Sequence, residues 1–173
     1  MRIFLASSNE LKHEREYLAG VVLYLGRLLH DLGTGQRVEL VKWEYLDSSM
    51  GIEHKQDEYN RELAACDVTV VLFGRKFGEF TESELLTALR CVKEDGKKHR
   101  LGVLFKDTQE KVTPELAAYR SSLADRDGIM LGTFATDDEL RGLFLKVVFA
   151  SLCEGHADFE IPTDNLLRKY VLK

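Results

Sequence analysis

At 173 residues the chain has room for one domain with a substantial hydrophobic core. Hydrophobic residues make up 45% and charged residues 31%, a globular mixture that excludes a disordered or membrane-embedded chain. The net charge of −5 argues against nucleic acid as a partner, because neutralising phosphates needs a basic face.

Arg2–Ala6 reads as a short buried strand, ended by Ser7-Ser8-Asn9. Leu11, Leu18, Val22, Leu25, Leu29 and Leu32 then recur at helical spacing, and Gly33-Thr34-Gly35 stops that helix. Val38–Trp43 reads as a second strand, followed by a polar loop over Glu44–Glu53. Lys55–Cys66 has a helical pattern that buries Tyr59 and Leu63. Asp67–Phe73 is a continuous β-branched run of the kind buried on both faces of a sheet. Gly74–Glu79 turns the chain into a helix over Thr81–Glu94. The cluster Lys97-Lys98-His99-Arg100 after Gly96 reads as a solvated helix exit. Leu101–Phe105 is a fourth strand, and Pro114 suits the first position of a further helix. Ile129–Phe134 is the last strand, and Thr136-x-x-Glu139 caps a helix running to about Leu152.

Alternation of strand and helix with short connections demands a parallel sheet, right-handed crossovers and helices on both faces. The expected architecture is α/β, a three-layer sandwich with about five parallel strands in the order 2-1-3-4-5. One domain spans 1–154, and residues 155–173 form a C-terminal tail or the start of a linker. Such sheets bind ligands beyond the carboxyl ends of the strands. The residues expected there are Ser7-Ser8, Trp43-Glu44 and the loop Gly74–Glu79.

Several familiar catalytic engines are missing. There is no GxxxxGK[ST] loop, no GxGxxG after the first strand and no GxSxG elbow. The five histidines lack metal-ligand spacing, so no metal site is expected. Cys66, Cys91 and Cys153 are far apart and read as reduced core thiols. Ile3–Ala6 is too short for a signal peptide, and no run reaches the length of a membrane span. The expected compartment is the cytoplasm. Ser7 and Ser8 occupy a strand-to-helix corner. There they serve either as a helix cap or as a hold on a substrate oxygen or phosphate.

Phe80-Thr81-Glu82-Ser83-Glu84-Leu85-Leu86-Thr87-Ala88-Leu89 resembles the WxxxE helix of bacterial Toll/interleukin-1 receptor (TIR) domains. Phe80 stands in the tryptophan's place and Glu84 is the glutamate. A first strand ending in Ser-Ser, an acidic residue opening the third strand, and the pairs Phe73-Gly74 and Phe77-Gly78 match in order. The similarity covers roughly residues 2 to 150, with a start that reads like IFLASSxELKxER. The resemblance implies a flavodoxin-like fold and a metal-free NAD glycohydrolase or cyclase acting in bacterial defence. NAD would then be a substrate rather than a cofactor, and activity would depend on self-association.

The chemistry is consistent with that implication. Nicotinamide in NAD is already a cationic leaving group, so the demand falls on an oxocarbenium-like ribose that one carboxylate can stabilise. Glu84, expected in the first helical turn, would have its anion favoured by the helix dipole. Trp43, Phe77 and Phe80 offer aromatic faces for a flat ring, and Arg75 and Lys76 offer charge for a pyrophosphate. Two other classes compete with this reading. One is a non-enzymatic self-association module, and the other is a nucleotide N-glycosidase or deoxyribosyltransferase with the same single-carboxylate logic. Locally, Thr81-x-x-Glu84 also has the form of a capping box, with Phe80 and Leu85 as its hydrophobic staple.

Overall fold

The computed structural model describes residues 1–7, 9–42, 59–75, 79–94, 99–108, 112–123 and 129–154. The side chains of 9, 42, 79–83, 153 and 154 lie outside that description, as do the expected loop at 44–53 and the tail at 155–173. Five strands form one sheet: β1 (Arg2–Ser7), β2 (Glu39–Lys42), β3 (Val68–Phe73), β4 (Arg100–Lys106) and β5 (Ile129–Phe134). Their order is β2-β1-β3-β4-β5, and every neighbouring pair is parallel. This is the expected α/β, flavodoxin-like arrangement. The helices are α1 (Lys12–Asp31), α2 (helical over residues 59–64), α3 (Glu79–Glu94), α4 (Pro114–Leu123) and α5 (Asp137–Glu154).

The strands alternate their side chains between two cores. Ile3, Leu5, Val68, Val70 and Leu72 pack with Leu18, Val22 and Leu25 of α1 and with Phe144 and Val148 of α5. Phe4, Ala6, Val71 and Phe73 face the other way, onto Leu85, Ala88 and Leu89 of α3 and Leu116 of α4. All six residues of β3 are buried, because a central parallel strand is covered on both faces. At the opening of β3, Asp67 Oδ2 accepts the Arg2 backbone N–H at 2.6 Å, so this acidic residue pins two strand starts together.

Local chemistry sets the helix ends. Past the end of α1, the Gly33 N–H donates to the His30 carbonyl and the Thr34 N–H to the Leu29 carbonyl. Gly33 takes a φ of 65°, which completes a Schellman turn that a side chain with a Cβ would strain. Leu32 falls in that turn and is 49% exposed, so it leaves the apolar stripe expected of it. At α5 the expected capping box forms, with Glu139 N–H on Thr136 Oγ1 at 3.2 Å and Glu139 Oε2 accepting the Thr136 N–H at 3.3 Å. Helix α5 lies directly on β4 because Gly102 has no Cβ; one built there would come within 2.6 Å of Val147 Cγ2.

Within the basic cluster His99 departs from the sequence reading, and Lys97 and Lys98 lie outside the described residues. His99 is buried and its Nε2 lies 2.9 Å from Thr69 Oγ1, while Arg100 begins β4. The hydroxyl partner inside the sheet layer outweighs the solvation expected of the cluster at this position. Cys66 and Cys91 are buried thiols, and burial pushes the Cys66 thiol up to about 12. Among the described residues no helix is long and apolar enough to cross a membrane.

Candidate active site

From β1 the chain crosses to β2 on one side, and from β2 it returns to β3 on the other, so the strand order switches direction between β1 and β3. Beyond the carboxyl ends of those two strands, α1 departs over one face of the sheet and α3 over the other. Open α/β sheets form their ligand crevice at such a switch point.

Three buried polar residues belong to the elements that border this switch point. Ser7 ends β1, Arg15 lies in the first turns of α1, and Glu84 lies on α3. All three are buried, at 8%, 4% and 4% exposure. Arg15 Nη1 donates to Ser7 Oγ at 2.7 Å. Burial pushes the Glu84 carboxyl up to about 8, and the positive charge of Arg15 works in the opposite direction. Burial thus favours the protonated form of this carboxyl.

Two further pairs build the rim. The Arg75 backbone N–H donates to Glu10 Oε1 at 2.9 Å, and Arg75 Nε lies 3.6 Å from Glu10 Oε2. Gly74 makes this approach possible, since a Cβ at that position would sit 2.1 Å from Glu10 Oε1. Lys106, at the end of β4, holds Glu14 of α1 through an Nζ–Oε1 contact of 2.6 Å. Glu14 is 3% exposed, so the ammonium group compensates a carboxylate that would be costly to bury alone.

Of the residues expected in the site, the structure describes Ser7, Arg75 and Glu84 in full. Ser7 does not cap α1: its hydroxyl accepts from Arg15, and the helix starts after a 3-10 turn with no side-chain cap. Phe80 is helical in its backbone, with its side chain outside the description, and Ser8, Trp43, Lys76 and Phe77 lie outside the described residues.

Two expectations about Glu84 are corrected. Helix α3 starts at Glu79, so Thr81 lies inside it and cannot act as its N-cap. Glu84 is then in the second turn, and desolvation there outweighs the dipole that was expected to favour its anion.

Arg15, Glu10, Glu14 and Lys106 were not anticipated. A signal for Arg15 is nevertheless present in the sequence. Residues 11, 15, 18, 22, 25 and 29 form one helical stripe, and Arg15 is the charged member of an otherwise leucine- and valine-lined face. Glu84 interrupts the stripe of Leu85, Ala88 and Leu89 in the same way. Among the described residues no group of three or more His, Cys, Asp or Glu is arranged to hold a metal.

No family model and no curated protein sequence matches the chain. Solved structures do. The chain superposes on the CMP N-glycosidase BcmB of Clostridium botulinum with a TM-score of 0.52 and 14% identity, covering 84% of this chain and 99% of that one. A flavodiiron protein from Giardia intestinalis matches at 0.43 and 14%, covering 89% of this chain and 37% of that one. The flavodiiron core of Flv1 from Synechocystis matches at 0.45 and 10%, covering 91% and 36%. The first of these likenesses shows that this α/β fold is shared with a nucleotide N-glycosidase.

Proposed function

We propose that this chain hydrolyses the N-glycosidic bond of a nucleotide, with Glu84 as the acting carboxyl. The observation that carries the reading is the place of Glu84. It is a buried acid on α3, one of the helices bordering the switch point, and it lies past the first turn of that helix. The fold shared with a CMP N-glycosidase supports the same class of bond.

The protonation state favours a neutral base as leaving group. Cleavage of C1′–N sends the bonding electrons to the base, and a neutral base needs a proton to accept them. Glu84, whose protonated form burial favours, donates that proton as general acid. The carboxylate left behind then faces an oxocarbenium-like sugar and stabilises it. Water adds to C1′ and returns a proton to Glu84, leaving the free base and the sugar phosphate.

NAD is the second substrate class, favoured by the resemblance to bacterial TIR domains around Phe80 and Glu84. Nicotinamide leaves without protonation, so that reaction needs Glu84 ionised. The two readings predict opposite pH profiles. Cleavage of a neutral base falls as pH rises past about 8, whereas NAD cleavage rises through the same region.

The test incubates the protein separately with CMP, other nucleoside monophosphates and NAD, and resolves the products by chromatography. Release of a free base that is lost on Glu84→Gln is the expected result. A folded protein that leaves every member of the panel intact overturns the proposal, as does a Glu84→Gln variant as active as the parent.

A further inference from the structure

We propose that the groove between α1 and β2 is a docking site for the C-terminal segment of this same chain, which seats Leu166, Leu167, Tyr170 and Val171 against Leu23. The groove has a volume of about 600 Å³. Val22, Leu23, Gly26 and Arg27 line it from α1, and Val38 and Leu40 line it from β2 and the residue leading into that strand. Leu23 is 61% exposed, although its neighbour Val22 is in the core. Gly26 keeps the groove open, since a Cβ there would meet only the Val38 carbonyl, at 4.0 Å. The strand order puts β2 at the sheet edge, and among the described residues no helix lies beyond α1 on that face. A concave apolar surface with a protruding leucine suits the apolar face of a further helix.

Helix α5 delivers the segment to the right place. A Cβ at Gly132, level with Leu104 of β4, would meet Leu143, and one at Gly102, two residues nearer the start of β4, would meet Val147. Helix α5 therefore runs toward the amino ends of the strands. So does α1, from Arg15 beside Ser7 at the end of β1 to Gly26 beside Val38 just before β2. The two helices pack side by side and finish at the same edge of the sheet. From Glu154 the way to the groove passes round one helix, about 10 Å across. Residues 155–165, extended, reach about 35 Å. In a helix, Leu166, Leu167, Tyr170 and Val171 share an arc of about 140°, and Asp164 just ahead of them suits an N-cap. Asp158, Glu160 and Asp164 also bring acidic charge toward the exposed Arg27. The polar stretch at 44–53 is a poorer match, because the chain leaves β2 at its carboxyl end, the opposite edge. The groove lies away from the crevice, so this proposal stands apart from the function proposed above.

The experiment places a photoreactive benzophenone amino acid at position 23 of the full chain, irradiates dilute protein and maps the cross-linked peptides by mass spectrometry. The expected result is a cross-link into residues 159–173 within a product of monomer mass. The double substitution Leu167→Asp, Tyr170→Asp should reduce that product about tenfold or more, the scale of losing two buried apolar anchors. A cross-link to a second copy, seen at twice the mass, overturns the proposal. So does a cross-link into residues 44–58, the absence of any cross-link to the segment, or a cross-link that survives the double substitution. If the benzophenone variant does not fold, hydrogen exchange decides instead. Amides over residues 19–31 and 38–42 should exchange several-fold faster in the double variant than in the parent, and unchanged exchange overturns the proposal.

Discussion

Glu139 and Thr136 hold one another reciprocally at the start of α5, each side chain meeting the other's backbone N–H. Thr81 and Glu84 have the same spacing, but α3 has already begun at Glu79, so Thr81 does not stand at its N-cap position. One sequence pattern thus serves two ends, decided by where the preceding chain lets the helix start. Thr136→Ala should lower stability by about 1 kcal/mol, the usual loss for a threonine cap. Thr81→Ala should lack that loss. Denaturant midpoints of the two variants, measured side by side, check the contrast.

Glu84→Gln carries a prediction about stability that is separate from catalysis. The folded carboxyl titrates near 8, against an ordinary value of 4.5 in the unfolded chain. A carboxyl raised in this way makes the folded state bind the extra proton between those values. Its contribution therefore withdraws stability as pH rises from about 4.5 to about 8 and is level outside that window. The variant should gain on the parent across the window, by on the order of 1 kcal/mol or more at the top of it. Melting temperatures of both proteins at pH 5 and pH 8 test the sign, and a constant difference would show that Glu84 is not a raised acid.

Turnover should separate Glu84 from Glu82. The two differ by two residues, about 200° around the helix, so they cannot serve one crevice equally. Glu84→Gln should lower turnover by about 10²-fold or more, the scale of losing one stabiliser of developing charge. Glu82→Gln should stay within a few-fold. Rates measured on the same nucleotide, with both variants shown to be folded, decide it.

Lys106→Met should destabilise the chain more than removal of an exposed ion pair would. It leaves the Glu14 carboxylate 3% exposed with its cation gone. Because the lysine side chain is itself 35% exposed, a loss of about 1–3 kcal/mol is expected, below the full cost of breaking a buried pair. The double variant Glu14→Gln, Lys106→Met should recover part of it. Urea unfolding of the two singles and the double measures the coupling, and strict additivity would remove the argument.

The fold was legible because its signals are redundant. The run Val68–Phe73 can only be a strand covered on both faces, and Ile129–Phe134 and the α5 cap appear where their residues indicate. The start of α3 was not legible. Thr81 looks like a cap, and the helix nevertheless extends two residues before it. The site was read through Ser7 and Glu84, whereas Arg15 was passed over because helical periodicity draws attention to apolar positions. The contact of Arg15 with Ser7 is one that neither residue's immediate neighbours encode. His99 shows the converse, since a residue inside a basic cluster is buried against Thr69, 30 residues earlier in sequence.

The two walls of the crevice belong to different cores. Arg15 belongs to α1, which packs with α5 in one core, and Glu84 belongs to α3, which packs with α4 in the other. The crevice is therefore bordered by two separate packings. Filling the space above Gly102, where Val147 of α5 now rests, would press on the core shared by α1 and α5, and the core under α3 and α4 would not meet it directly.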